Sequence, residues 1–197
     1  MRTNPLNAIN KILVIAVMIF GMISCSKDKD NSNPDVETHD EVTYKGTSYP
    51  INAGGYDDLG YDEGFSNTEL YLFNIKSDSD PLIPVYIYLD LFSPEKEFKG
   101  GTFKYVKGEE NVEGKYFLND AIFIRNMNID TNKADEVVEI TDGTVKVSRD
   151  GENFKVEFDL VSKGNEAIKG SYGGVFRKVS DNAAKAKNKL YNQIKKR

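Results

Sequence analysis

Large apolar side chains recur at every second residue through much of this chain, and that rhythm restricts the fold more than any other feature. Phe154, Val156, Phe158 and Leu160 alternate with Lys155, Glu157 and Asp159. Successive side chains on a strand point to opposite faces, so this stretch predicts a strand with one dry and one wet face. Val145 and Val147 alternate with Thr144, Lys146 and Ser148, and Asp150-Gly151 separates the two runs as a hairpin turn. Lys45-Gly46 before Thr47-Ser48 predicts a second hairpin near the start. Val85, Ile87, Leu89 and Leu91 share one face of a further strand, with Tyr86, Tyr88, Asp90 and Phe92 on the other. Large groups on both faces predict a central strand. Leu70 to Ile75 and Tyr116 to Arg125 read the same way, and Ile168 to Arg177 is a strand whose glycines mark a bend or a close backbone approach.

No helical period occurs before Ser180. The expected body, residues 42–179, is therefore an all-β domain of about nine to ten strands. Antiparallel meander or Greek-key connections are expected, because no crossover helices exist to join parallel strands. Closure into a barrel and stacking into a two-sheet sandwich both hide the strand edges, and periodicity does not choose between them.

The ends read differently. Arg2 and Lys11 precede a continuous apolar run from Ile12 to Ile23, with no acid before Asp28. A run of about 12 residues reaches about 18 Å as a helix, short of the roughly 30 Å hydrocarbon core, so residues 1–24 read as a signal peptide. Residues 25–41 read as a flexible polar linker, since Ser26 to Asp35 contains no apolar residue. About 16 such residues would reach about 20–24 Å. Residues 180–197 switch to a helical period: Ser180, Asp181 and Asn182 offer caps, and Ala183, Ala186, Leu190 and Ile194 make a narrow apolar stripe.

Charge is divided between these parts. From Ser180 onward six basic residues face one acid, whereas Cys25 to Val179 holds 18 basic and 30 acidic residues. An acidic body argues against nucleic acid, which needs a clustered basic face. The basic tail suits an acidic partner or anionic headgroups. One Cys, one His and no Trp exclude a disulfide within the chain and a zinc site built from several Cys or His. His39 lies in the polar linker, a poor place for a general base.

Met22-Ile23-Ser24-Cys25, with a small residue directly before the sole cysteine, resembles a bacterial lipobox. Together with Gly101-Thr102-Phe103-Lys104-Tyr105 and the strand-and-glycine pattern from Gly143 to Gly174, it gives the chain a resemblance to small Bacteroidetes lipoproteins with an all-β domain. The resemblance implies acylation of Cys25, cleavage after Ser24 and attachment to the bacterial outer membrane, at the cell surface or on the periplasmic face. It brings no activity with it. Met22 stands where Leu is usual, and the basic helical tail is atypical of the group.

Few residues suggest chemistry. Tyr56, Asp57, Asp58, Tyr61, Asp62 and Glu63 repeat a Tyr-acid-acid unit between glycines. As a loop, their four carboxylates suit Ca²⁺, and the rings beside acids suit a sugar. The spacing does not match an EF-hand. Tyr71, Tyr86, Tyr88, Tyr105, Tyr116 and Tyr172 are candidates to line a barrel pocket. The leading expectation is a non-enzymatic envelope lipoprotein that binds a glycan, a small ligand or an envelope protein, with no cofactor unless Ca²⁺. A docking subunit of an envelope complex and a glycan hydrolase using unidentified carboxylates are the alternatives.

Overall fold

The computed structural model describes residues 36–77, 80–107 and 111–179. The expected signal peptide and the expected C-terminal helix lie outside them. The described residues form ten strands in one sheet: β1 (Glu41–Tyr44), β2 (Thr47–Pro50), β3 (Ala53–Asp62), β4 (Phe65–Phe73), β5 (Leu82–Ser93), β6 (Gly100–Tyr105), β7 (Phe117–Asn128), β8 (Glu136–Asp150), β9 (Asn153–Ser162) and β10 (Ala167–Lys178). The all-β expectation holds, with strands over every stretch whose alternation predicted one.

The pairings run in a ring. β3, β4, β5 and β7 pair in succession, β7 pairs β8, β8 pairs β9, β9 pairs β10, and β10 returns to β3. The open choice between barrel and sandwich is thus resolved as closure, which removes the edges that an open sheet leaves unpaired. β6 is inserted where β7 and β8 splay apart, pairing parallel to β7 and antiparallel to β8.

The expected antiparallel connectivity holds throughout the ring apart from two short parallel pairings. β6 and β7 are parallel over Lys104↔Phe117 and Tyr105↔Leu118. Among the described residues of the segment between them there is no helix. β3 and β10 are parallel over Gly54↔Phe176, Gly55↔Arg177 and Tyr56↔Lys178. They sit at opposite ends of the domain sequence, so no direct connection is required.

Alternation fills the ring. Leu70, Leu72, Val85, Ile87, Leu89, Leu91, Phe123, Val145, Val147, Phe154, Val156, Phe158 and Leu160 belong to one interior cluster. Phe103, Phe123, Phe154, Phe158 and Phe176 are its largest fully buried members. The hairpin β1–β2 hangs on β10 outside the ring and sends Val42 and Tyr44 into the same cluster, with the Tyr44 ring 4.9 Å from that of Phe123. Its turn has positive φ at both Lys45 and Gly46, the conformation that matches strand twist in a two-residue hairpin.

The expected linker ends earlier than residue 41. Val36 is buried, His39 N–H donates to Ser171 Oγ at 2.7 Å, and Asp40 Oδ1 accepts from Gly173 N–H at 2.9 Å. These polar residues are held because β10 offers them backbone and hydroxyl partners that composition does not reveal.

Gly170 allows β1 to approach β10. A Cβ there would stand 2.3 Å from Glu41 O and 2.7 Å from the Phe158 ring. Gly170→Ala should cost about 1–3 kcal/mol in urea unfolding, as overpacking does. Gly164→Ala, with nearest contact 3.6 Å away, should stay within about 0.5 kcal/mol.

Candidate functional site

The sequence motif of tyrosines and acids is not a loop. Tyr56, Asp57, Asp58, Tyr61 and Asp62 lie on β3, while Glu63 and Gly64 make the tight turn into β4. Alternation disperses them. Tyr56 is buried in the interior cluster with its ring 5.3 Å from that of Phe154 and Arg149 above it. Asp57 pairs in register with Glu69 on β4, and Asp58 Oδ1 accepts from Gly60 N–H at the bulge. Tyr61 is exposed, and Asp62 Oδ1 accepts from Glu63 N–H. Among the described residues no group of three or more His, Cys, Asp or Glu is arranged to hold a metal ion.

The tyrosine set is also divided. Tyr172 is interior, and Tyr105 and Tyr116 pack against the interior cluster from partly buried positions. Tyr71, Tyr86 and Tyr88 point the other way, in a separate cluster with Ile122, Ile124 and Met127. They do not line the lumen, because Leu70, Leu72, Ile87 and Leu89 take the inward positions beside them. The six tyrosines, candidates to line a pocket, are therefore not brought together by the fold.

What the register assembles is a built face on the outside of the wall. Asp57 pairs with Glu69, Glu69 with Asp90, and Asp90 with Asp120, giving a row of carboxylates across β3, β4, β5 and β7. On one side lies the row Tyr71, Tyr88 and Ile122, followed by Phe73, Tyr86 and Ile124. On the other side Phe92 stacks on Phe117 at 4.7 Å, with Phe65 edge-on to Phe117 at 5.2 Å. Like charges directly across a sheet repel, so the row depends on its donors. Glu69 accepts from the Tyr71 hydroxyl and from the Tyr88 hydroxyl at 2.7 Å. Asp90 accepts from Asn67 Nδ2 and from Asn119 Nδ2, each at 2.9 Å. Asn119 reaches it from the bulge where the pairing of β5 and β7 shifts.

Burial raises the Asp90 carboxyl above its ordinary range, the two amide donors oppose this, and Glu69 and Asp120 reinforce it. Burial likewise pushes the Tyr71 and Tyr88 hydroxyls up, with Glu69 adding to it through hydrogen bonds and charge. These phenols therefore stay protonated and donating. The face is rich in acceptors and rings, and its chemistry suits cationic or hydroxylated groups presented with an apolar body.

A second polar cluster fixes the β1–β2 hairpin to the ring. Glu136 at the start of β8 accepts from Tyr44 Oη at 3.0 Å, Lys45 Nζ at 2.9 Å and Arg125 Nε at 2.8 Å. Arg125 Nη1 also donates to Tyr49 Oη at 3.2 Å. The Lys45 hydrogen bond leads the effects that hold the Glu136 carboxyl below its usual range, with Tyr44 and Arg125 contributing despite some burial.

Comparison with family models, with curated proteins and with solved structures returned no match for this chain. The reading of the site therefore rests on its geometry.

The two carboxyls predict opposite acid responses. Glu136 is depressed in the folded state, so its contribution is present above the unfolded value near 4.5 and is lost as pH falls through the lower folded value. Glu136→Gln should lower stability by about 1–2 kcal/mol at neutral pH and flatten the loss of melting temperature below pH 4.5. Asp90 is raised, so the folded state is favoured by its protonation and loses stability as pH rises from 3.8 through the raised value. Asp90→Asn should remove that fall from the melting-temperature profile.

Proposed function

We propose that this chain is a lipid-anchored cell-envelope protein, acylated on Cys25 and held at the outer membrane, whose barrel acts without catalysis as an accessory or binding module. The observation that carries this reading is Ser24-Cys25 directly behind the apolar run of Ile12 to Ile23. The layout beyond it agrees. Ser26 to Asp35 is wholly polar, and the barrel takes hold of the chain at Val36. About ten intervening residues would let the domain stand about 16–19 Å from its anchor.

The interior supports docking over carriage of a small molecule. Five phenylalanines and a ring of branched aliphatic residues occupy the lumen with essentially no exposure, as in small barrels whose side chains fill the space. Partners are then met on the outer wall, by a protein segment or a glycan chain. Surface binding of that kind needs steady presentation at the membrane, which two or three acyl chains on one residue supply.

Cys25→Ala expressed in the native host should move most of the protein from the membrane fraction to the soluble fraction. The N-terminal peptide of the wild type should carry the mass of the acyl groups. A wild-type N-terminus with an unmodified thiol, or membrane retention of the variant after leader removal, would overturn the anchor.

A further inference from the structure

The lumen is apolar over most of its length and polar at one end. Ser66 and Thr68 precede Leu70 and Leu72 at the inward positions of β4, and Ser93 follows Leu89 and Leu91 on β5. Ser66 is 2% exposed, and Thr68 and Ser93 are at 0%. Ser66 and Ser93 face each other in the β4–β5 register, with their Oγ atoms 3.3 Å apart. Thr68 is the next inward residue of β4, about 7 Å farther along the strand.

The loop from β5 to β6 closes this end. Phe98 is buried in the interior cluster with its ring 5.6 Å from that of Phe103, and Arg149 Nη1 donates to Phe98 O at 3.1 Å. The same loop carries Glu95, whose N–H donates to Ser93 Oγ at 3.3 Å. The Glu95 carboxylate turns toward the barrel. Its Oε1 accepts from Tyr116 Oη at 2.6 Å, and the Tyr116 ring lies edge-on to Phe103 at 5.5 Å.

Two oxygens at this end have no hydrogen-bond partner: Thr68 Oγ1, on a side chain with no exposure, and Glu95 Oε2, itself buried. Native folds leave few buried polar atoms in that state. Charge sharpens the demand at Glu95. Among the described residues no Lys, Arg or His forms an ion pair with it. A neutral donor satisfies a lone pair, whereas a buried negative charge calls for a positive one.

The chemistry of the surroundings selects the cation. Three hydroxyls and one carboxylate oxygen are hard ligands, suited to a hard ion. Calcium sites gather several carboxylates, and no group of three or more acidic, His or Cys residues lies here among the described residues. One negative charge is matched by one positive charge. Leu91 pairs with Thr68, Leu118 pairs with Leu91, and both are fully buried. Such packing admits a bare ion and no organic molecule.

We infer that Ser66 Oγ, Thr68 Oγ1, Ser93 Oγ and Glu95 Oε2 hold a small monovalent cation, sodium or potassium, at the end of the lumen beneath the β5–β6 loop. The ion ties the loop that caps the barrel to the two strands under it. It is a site inside the barrel, independent of the membrane anchor and of any partner on the outer wall.

The purified full chain can be melted at one ionic strength in choline chloride, whose cation is too large for the site, and in sodium or potassium chloride. In at least one of the small-cation salts Tm should exceed that in choline by about 3 °C or more. Thr68→Val removes one ligand oxygen at nearly constant volume. Glu95→Gln removes the charge and keeps an oxygen for Tyr116. Each should reduce the difference below about 1 °C, and either suffices should the other fail to fold. Asp159→Asn, in an exposed ion pair with Lys169, should retain it. Equal melting of the wild type in all three salts would overturn the inference and leave the two oxygens to water or to a protonated Glu95. A difference that persists in a folded Thr68→Val or Glu95→Gln, or that vanishes in Asp159→Asn, would overturn it as a general salt effect.

Discussion

Three residue pairs close this barrel. β10 meets β3 in parallel at Phe176↔Gly54, Arg177↔Gly55 and Lys178↔Tyr56, and each of the other contacts around the ring presumes that this seam is shut. The seam depends on the absence of a side chain. A Cβ on Gly54 would fall 2.7 Å from the Phe176 ring, so only glycine lets that ring lie flat across β3. Phe176 then packs at a tilt against Phe154, with ring centroids 4.7 Å apart, and against Tyr172 at 5.6 Å. The first and last strands of the ring are thereby held by an aromatic cluster as well as by backbone hydrogen bonds.

The two sides of the wall are stabilised by different means. Inside, apolar area dominates, because alternation delivers mostly hydrocarbon and rings to the lumen, with Ser66, Thr68 and Ser93 as buried hydroxyls among them. Outside, the register sets four carboxylates in line, and the wall tolerates them because tyrosine hydroxyls and asparagine amides satisfy the two most buried. Such donors contribute less by adding favourable energy than by removing the cost of leaving buried charge unsatisfied.

The strands were legible in the sequence because alternation is a local property. Phe154 to Leu160 states its face whatever it pairs with. Register is not local, and the carboxylate row is a product of register. Asp57, Glu69, Asp90 and Asp120 belong to four strands, and bulges at Asp58/Gly60 and Asp90/Leu91 decide who faces whom. Sequence proximity instead grouped Asp57 with Asp58, Asp62 and Glu63, which alternation and a tight turn then scattered. One signal did exist. Tyr86, Tyr88, Asp90 and Phe92 put large groups on the second face of β5, and a strand dry on both faces implies cover on both. The parallel closure left no such mark, since glycines at 54 and 55 read as well for a bend.

The N-terminal strap bears on how the domain responds to force. Residues 36–44 hang on β10 through His39, Asp40 and the short ladder from Glu41↔Ser171 to Tyr44↔Ile168. None of them belongs to the ring. Tension applied through residue 35 meets these bonds one at a time, as a zipper does, before it reaches the Tyr44 ring on Phe123 and the Tyr44 hydroxyl on Glu136. The strap thus yields in stages: the polar contacts of His39 and Asp40 would give first, and Val42 and Tyr44, seated in the interior cluster, would hold until the core itself was opened.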